Sequence, residues 1–262
     1  MKSRASLSSI GPWRMLACAI GLILFSGIAL AEGAWEHRLS PYMWFAGIKG
    51  DAGTIPPLPA APIEMSASDA LSDLDAGFML ILDSRKGRHG FFMDLMYTDV
   101  QTDSVLVPAP INLNMRSISK TTIFTLAYQY EWYRKDQTVV DLMGGVRYWN
   151  LDSQLQFSGG LGILAGQTVS NTESWIDPAI GIKGRAPLGG SRFYFEGGAG
   201  VGGFGVGSDL FYDLSVNVGY QWSKAIGTAI GYRLFYVDYE KDDGYLYDVT
   251  QQGWQIGLTW AF

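Results

Sequence analysis

Strict alternation over the last eleven residues constrains this chain more than any other feature. Trp254, Ile256, Leu258, Trp260 and Phe262 take every second position, and Gly253, Gln255, Gly257, Thr259 and Ala261 fill the gaps. A period of two puts one set on each face of a β-strand, one face greasy and the other small or polar. The same alternation recurs upstream, with turn signals between the repeats. It predicts ten strands over about 35–48, 74–84, 90–103, 116–132, 138–154, 173–186, 191–206, 210–222, 226–240 and 247–262. Eight strands is the alternative, if the first two segments are mis-divided. The connections fall into two classes. Arg85–His89, Tyr133–Gln137, Pro187–Gly190 and Ser223–Ala225 are short, whereas Lys49–Asp73, Ser104–Met115 and Leu155–Thr172 are long.

Gln255, Gly257, Trp260 and Phe262 have the spacing of a polar residue, a glycine, an apolar residue and a terminal aromatic. In this they resemble the C-terminal assembly signal of bacterial outer-membrane β-barrels. That resemblance implies an all-β fold, a closed antiparallel transmembrane β-barrel in the outer membrane of a Gram-negative cell. It also implies outer-membrane lipid, the barrel assembly machinery and periplasmic chaperones as partners. An even strand number and short turns alternating with long loops fit such a barrel, with both termini and the short turns on the periplasmic side.

The N-terminus reads as a secretory signal peptide, residues 1–31. Lys2, Arg4 and Arg14 precede an apolar run from Met15 to Leu30, and Ala29-Leu30-Ala31 offers a cleavage site. The run is short for a spanning helix, which needs roughly 20 residues. Cys18 lies inside it and reads as filler. The remaining barrel, 32–262, keeps 16 basic residues against 25 acidic ones. A surface that acidic argues against nucleic acid as a partner.

Lipid-facing positions follow from the alternation: Leu39, Met43 and Phe45; Phe91, Met93, Leu95 and Tyr97; Phe124, Leu126, Tyr128 and Tyr130; Ile176, Ile180 and Ile182; Leu214, Val216, Val218 and Tyr220. The opposite face carries the charges Glu36, Arg38, Asp83, Asp94, Glu131, Asp141, Arg147, Asp177, Lys183, Arg185, Glu196, Asp213 and Arg233. Inside a narrow barrel these groups pair in a closed core, or they line a charged conduit. The closed core predicts that Arg147→Ala is destabilising and that the barrel conducts little current.

Catalytic signals are sparse. Ten-stranded outer-membrane barrels include the omptin proteases, whose site resembles paired aspartates facing an Asp/His pair at the outer rim. The two histidines here fall elsewhere, His37 low in the first strand and His89 in a periplasmic turn. Asp99, Asp103, Asp238, Glu240, Asp242 and Asp243 at the outer rim therefore lack a histidine to orient water. No serine is expected near either histidine on the lipid face. There is no cysteine or histidine pair at metal-ligand spacing, so no metal and no cofactor is expected. The outer loops are unusually apolar, notably Ile55–Ile63, Val105–Ile111 and Leu161–Ala165. They cap the barrel or offer a small hydrophobic ligand a binding surface. The leading expectation is a non-enzymatic integral barrel with a salt-bridged lumen. A narrow channel or transporter for small polar or hydrophobic solutes is the alternative, and an outer-membrane enzyme comes third.

Overall fold

Runs of alternating residues longer than a bilayer is thick need a wall to lie in, and the chain supplies one by closing on itself. The computed structural model describes residues 34–109, 112–160 and 166–262. The expected signal peptide with Cys18, and loop residues 110–111 and 161–165, lie outside these. In chain order the elements are β1 (Glu36–Gly53), β2 (Ala61–Met65), α1 (Ala67–Ser72), β3 (Leu74–Lys86), β4 (His89–Val107) and β5 (Leu113–Lys135). There follow β6 (Thr138–Ser158), β7 (Thr168–Pro187), β8 (Phe193–Gly203), β9 (Leu210–Gln221), β10 (Ile226–Glu240) and β11 (Leu246–Ala261). From β3 to β11 each strand pairs antiparallel with the next, and β1 pairs with both β3 and β11. The result is a closed ten-stranded barrel. β2 pairs only with β1, along Ile48–Ala52 on the edge that β3 uses lower down.

The ten barrel strands match the ten read from alternation, and the eight-strand division is excluded. The long loops are corrected. β1 runs on to Gly53, and β2 and α1 occupy most of what reads as a bare loop. β4 and β5 extend to Val107 and from Leu113, and β6 and β7 extend to Ser158 and from Thr168. The sequence there is polar outside and apolar inside, which is a strand pattern once water replaces lipid on the outer face. The tight turns sit at the same end as the start of β1 and the C-terminal Phe262. Gly87 (φ 60°) and Asp136 (φ 54°) take the left-handed conformation that two-residue hairpins demand. His89 is the first residue of β4 rather than part of the turn.

Along β6, β7 and β10 the outward face changes character once. On β6 the outward residues run Leu142, Val146 and Tyr148, then Asn150 and Asp152. On β7 Ile182, Ile180 and Ile176 give way to Ser174 and Thr172. On β10 Ile230, Tyr232 and Tyr236 give way to Asp238 and Glu240. The apolar band between is what lipid requires. Aromatics rim it: Trp35, Phe91, Tyr220, Trp222 and Phe262 at the turn end, and Tyr148, Tyr212, Tyr236 and Trp254 at the other.

Leu126 and Val216 are 39% and 54% exposed inside this band. Val216 stands midway between Tyr212 and Tyr220. Arginine at either position is expected to destabilise the barrel by about 2–4 kcal/mol, as at mid-bilayer. Urea unfolding in lipid vesicles measures it, and wild-type stability for both would refute the band. The lumen-facing Thr125 is not the mild control its parity suggests. It is buried and accepts a hydrogen bond from Arg147, so Thr125→Arg would bring a second cation against the first. Ser215→Arg is the better comparison.

Candidate functional site

Above the bilayer the lumen is filled by aromatic rings. Trp149 stacks on Trp175 at 5.3 Å between centroids, and Trp175 stacks on Tyr239 at 3.9 Å. Phe211 and Phe235 close on Trp149 at 5.9 and 5.4 Å, and Trp44 meets Phe235 edge-on at 6.3 Å. Tyr245, Tyr247, Val237 and Val249 complete the block. These residues share the inward parity of Arg147, Asp177 and Arg233. The strands are therefore polar-in within lipid and apolar-in above it.

Asp177 sits inside the aromatic block, fully buried, and no cation lies within ion-pairing distance among the described residues. Four donors take the place of one. Trp149 gives its indole N–H at 2.8 Å, Trp175 shares its own between Asp177 at 3.2 Å and the Ser208 hydroxyl oxygen at 2.8 Å, and Ser208 gives its backbone N–H and its hydroxyl to Asp177, each at 2.7 Å. Arg147 is its register partner on β6, yet Arg147 reaches across the lumen instead.

Under the block lies a layer of ion pairs centred on Arg233. Its guanidinium donates to Asp213 at 2.8 and 2.6 Å, to Asp94 at 3.0 Å and to the Tyr42 hydroxyl at 2.9 Å. Arg147 donates to the same Asp213 at 2.8 Å and to Thr125 at 2.8 Å. Both guanidiniums lie under rings, Arg147 at 4.6 Å from Phe211 and Arg233 at 5.3 Å from Trp44. A second group sits nearer the turns. Glu131 and Asp141 face each other directly across β5 and β6, a repulsive arrangement unless a cation is shared. Arg85 supplies it, at 2.8 Å from Glu131 and 2.6 Å from Asp141. Arg134 also pairs with Glu131, and Lys183 pairs with Asp83.

Glu36, Arg38, Arg185 and Glu196 share the lumen face but make no ion pair within 4.0 Å among the described residues. They line a cavity of about 600 Å³ that runs from the Arg233 layer down to the turns. Arg185 lies 3.6 Å from the Tyr194 ring and donates to Gln221 at 2.7 Å. The lumen is thus a cup, floored by Tyr42, Asp94, Arg147 and Arg233 and open on the turn side. Not every charge on the lumen face is paired, because the lower wall is wide enough for water. Reading the sequence by charge alone misses Arg85 and Arg134, whose stems lie at strand ends, and Tyr42, which completes the Arg233 site. The aromatic block was legible in principle from the parity shared by Trp149, Trp175, Phe235 and Tyr239 with the lumen charges.

At the outer rim Asp99, Asp103, Glu173 and Asp243 pair with cations, whereas Asp238, Glu240 and Asp242 make no ion pair within 4.0 Å among the described residues. Arg116 grips Asp103 at 2.8 and 3.0 Å and holds that carboxyl below its ordinary range. Lys241 pairs with Glu173 at 3.0 Å, and that hydrogen bond holds its ammonium above its ordinary range. Both histidines lie at the opposite end. One expectation is corrected there: Ser84 faces His37 across β1 and β3, its Oγ 2.9 Å from Nδ1, on the outward face. The His37 N–H is given to the Phe262 carbonyl at 2.9 Å. Among the described residues no cluster of three His, Cys, Asp or Glu is placed to hold a metal.

The C-terminal segment forms the seam of the barrel. Phe262 exchanges backbone hydrogen bonds with His37 at 2.9 and 3.0 Å, and Gln255 donates to Asn217 at 2.7 Å inside the lumen. Trp260 and Phe262 lie 4.8 Å apart on the outward side. Phe262→Ala, or its deletion, is expected to lower the amount of assembled barrel, read as heat-modifiable mobility on gels. Wild-type levels would show that the terminal aromatic is dispensable.

No protein-family model matches the chain, and no curated protein matches its sequence at significance. Solved structures do match. The outer membrane protease OmpT of Escherichia coli is similar with a TM-score of 0.56 at 10% identity, over 90% of this chain and 99% of that one. Ail, the attachment invasion locus protein of Yersinia pestis, gives 0.36 at 12% identity over 87% and 99%. The transport unit of the autotransporter AIDA-I from Escherichia coli gives 0.43 at 8% over 95% and 97%. The closed wall, the lipid-facing band and the likeness to OmpT define the class: a transmembrane β-barrel of the bacterial outer-membrane type. The particular likeness to OmpT is one of ten-stranded architecture and extends no further at this identity.

Proposed function

We propose that this protein is a non-enzymatic integral barrel whose lumen is closed to through-passage from its middle outward. One observation carries the reading: the stacked Trp149–Trp175–Tyr239 block sits directly on the Arg147–Asp213–Arg233–Asp94 layer. A solute moving outward would have to displace buried rings and uncouple buried ions together. On this reading the wild-type barrel carries little or no current in planar bilayers at single-channel resolution. Steady ohmic conductance whose ion selectivity changes in Arg147→Ala would overturn it in favour of transport.

The transport reading has its own support, the 600 Å³ cup open at the turn end. A carrier that admits small solutes from the periplasm and rearranges its aromatic block would use such a cup. The C-terminal strand, read as an assembly signal, makes the assembly machinery and its chaperones partners during biogenesis. At the other end Leu58, Val105 and Leu106 are exposed on the outer loops, which suits a small hydrophobic ligand or a surface contact.

A further inference from the structure

β8 is eleven residues long, the shortest wall strand of the barrel. Eleven residues tilted across the hydrocarbon is about one bilayer crossing. Where β6 and β7 climb far above the membrane, the β8–β9 connection therefore turns at its surface. The register agrees: Gly202 is level with Ala179, and Leu210 is level with Asp238, immediately above the Tyr212–Tyr236 pair of the upper girdle.

The turn itself is built to display two apolar side chains. Val206 is 72% exposed and Phe204 is 54% exposed. Gly203, Phe204 and Gly205 all have positive φ, at 91°, 54° and 72°. Two glycines suit that conformation, but a bulky residue seldom adopts it. Something must hold Phe204 there, and the buried Asp177 does so. It anchors Ser208 through two hydrogen bonds of 2.7 Å. Gly207 packs so closely that a Cβ would stand 2.6 Å from Asp177 Oδ1. Short bonds from Gly205 N–H to the Ser208 carbonyl and from Val206 N–H to the Gly203 carbonyl, both 3.1 Å, lock the tip. A buried carboxylate is thus committed to fixing a loop whose tip leaves Phe204 and Val206 exposed.

The tip continues the lipid-facing band, in which Ile176, Ile180, Leu210 and Leu214 are also exposed. Asp209 and Asp238, joined by a 2.9 Å bond from the Asp209 N–H to the Asp238 carbonyl, stand level with the base of the tip and mark where polar groups begin. We propose that Phe204 and Val206 form an apolar foot embedded among the acyl chains of the outer leaflet, and that the low β8–β9 side of the wall is held against the membrane by it. The partner is the lipid surface, and the foot fixes how the tall β4–β7 side is presented to the outside.

Single cysteines at 204 and at 206, in a Cys18→Ser background, would carry nitroxides in barrels reconstituted into phosphatidylcholine vesicles. Labels at Val216 and Asp242 serve as lipid and water references. Collision with oxygen is expected to outweigh collision with a water-soluble nickel chelate at both tip positions, as at Val216. Ratios matching Asp242 would overturn the proposal. So would spin–spin broadening that disappears on dilution with unlabelled protein, because it would assign the tip to a second copy of the chain. Should Phe204→Cys fail to assemble, which heat-modifiable mobility reports, the label at 206 decides alone.

Discussion

Arg233→Ala is expected to cost about 3–5 kcal/mol of unfolding free energy, the effect of breaking a buried ion pair from one side. Arg233 is 5% exposed and is the only cation within pairing distance of Asp94 among the described residues. Its loss leaves Asp94 buried with only the Tyr42 hydroxyl, at 2.8 Å, to satisfy it. Arg147→Ala, the substitution that the sequence alone singles out, is expected to cost less. Its partner Asp213 keeps Arg233 at 2.6 Å, so the carboxylate is not orphaned. Urea unfolding in lipid vesicles gives both values. If Arg233→Ala falls within about 1 kcal/mol of wild type, as for solvated pairs, the middle of the lumen is wet and the closed reading fails.

Trp149→Ala is expected to destabilise by about 3–5 kcal/mol, the range for deleting a buried tryptophan. Trp149 has no exposed surface, and it contacts Trp175, Phe211 and Phe235 while donating to Asp177. Trp149→Phe separates the two contributions. It keeps most of the ring area but removes the N–H donor, one of four on Asp177, and should cost about 1–3 kcal/mol. The same unfolding assay ranks the pair. Equal costs would mean that the hydrogen bond outweighs packing. A small cost for both would mean that the outer half of the barrel is not a packed core at all.

The two predictions rest on different layers, and the layers differ in how far they can be read from sequence. Arg233, Arg147, Asp94 and Asp213 are recognisable because charges on alternate positions of a lipid-spanning strand have nowhere to go but inward. Which cation meets which anion is not recognisable. Arg147 and Asp177 are level on neighbouring strands, yet Asp177 turns up to two indoles and Ser208 while Arg147 crosses to β9. Side-chain length and the curvature of the closed wall set those choices, and neither is local. Arg85 shows the same limit, since a residue at a strand end becomes a lumen ligand only because two acids from β5 and β6 face each other within its reach.

The sequence by itself determined the class of fold, the ten wall strands, the direction each side chain faces and the seam at Phe262. A period of two is a property of the extended backbone and needs no partner to be read. Only the tertiary structure decided where the bilayer ends along each strand. There the solvent outside changes from lipid to water, so the preferred face for apolar residues inverts, and Trp149, Trp175 and Tyr239, on the same face as the lumen charges, pack into a core. The closed wall then fixed which charges are sealed beneath that core and which line the open cup, because pairing across a lumen depends on distances that exist only once the first strand has met the last.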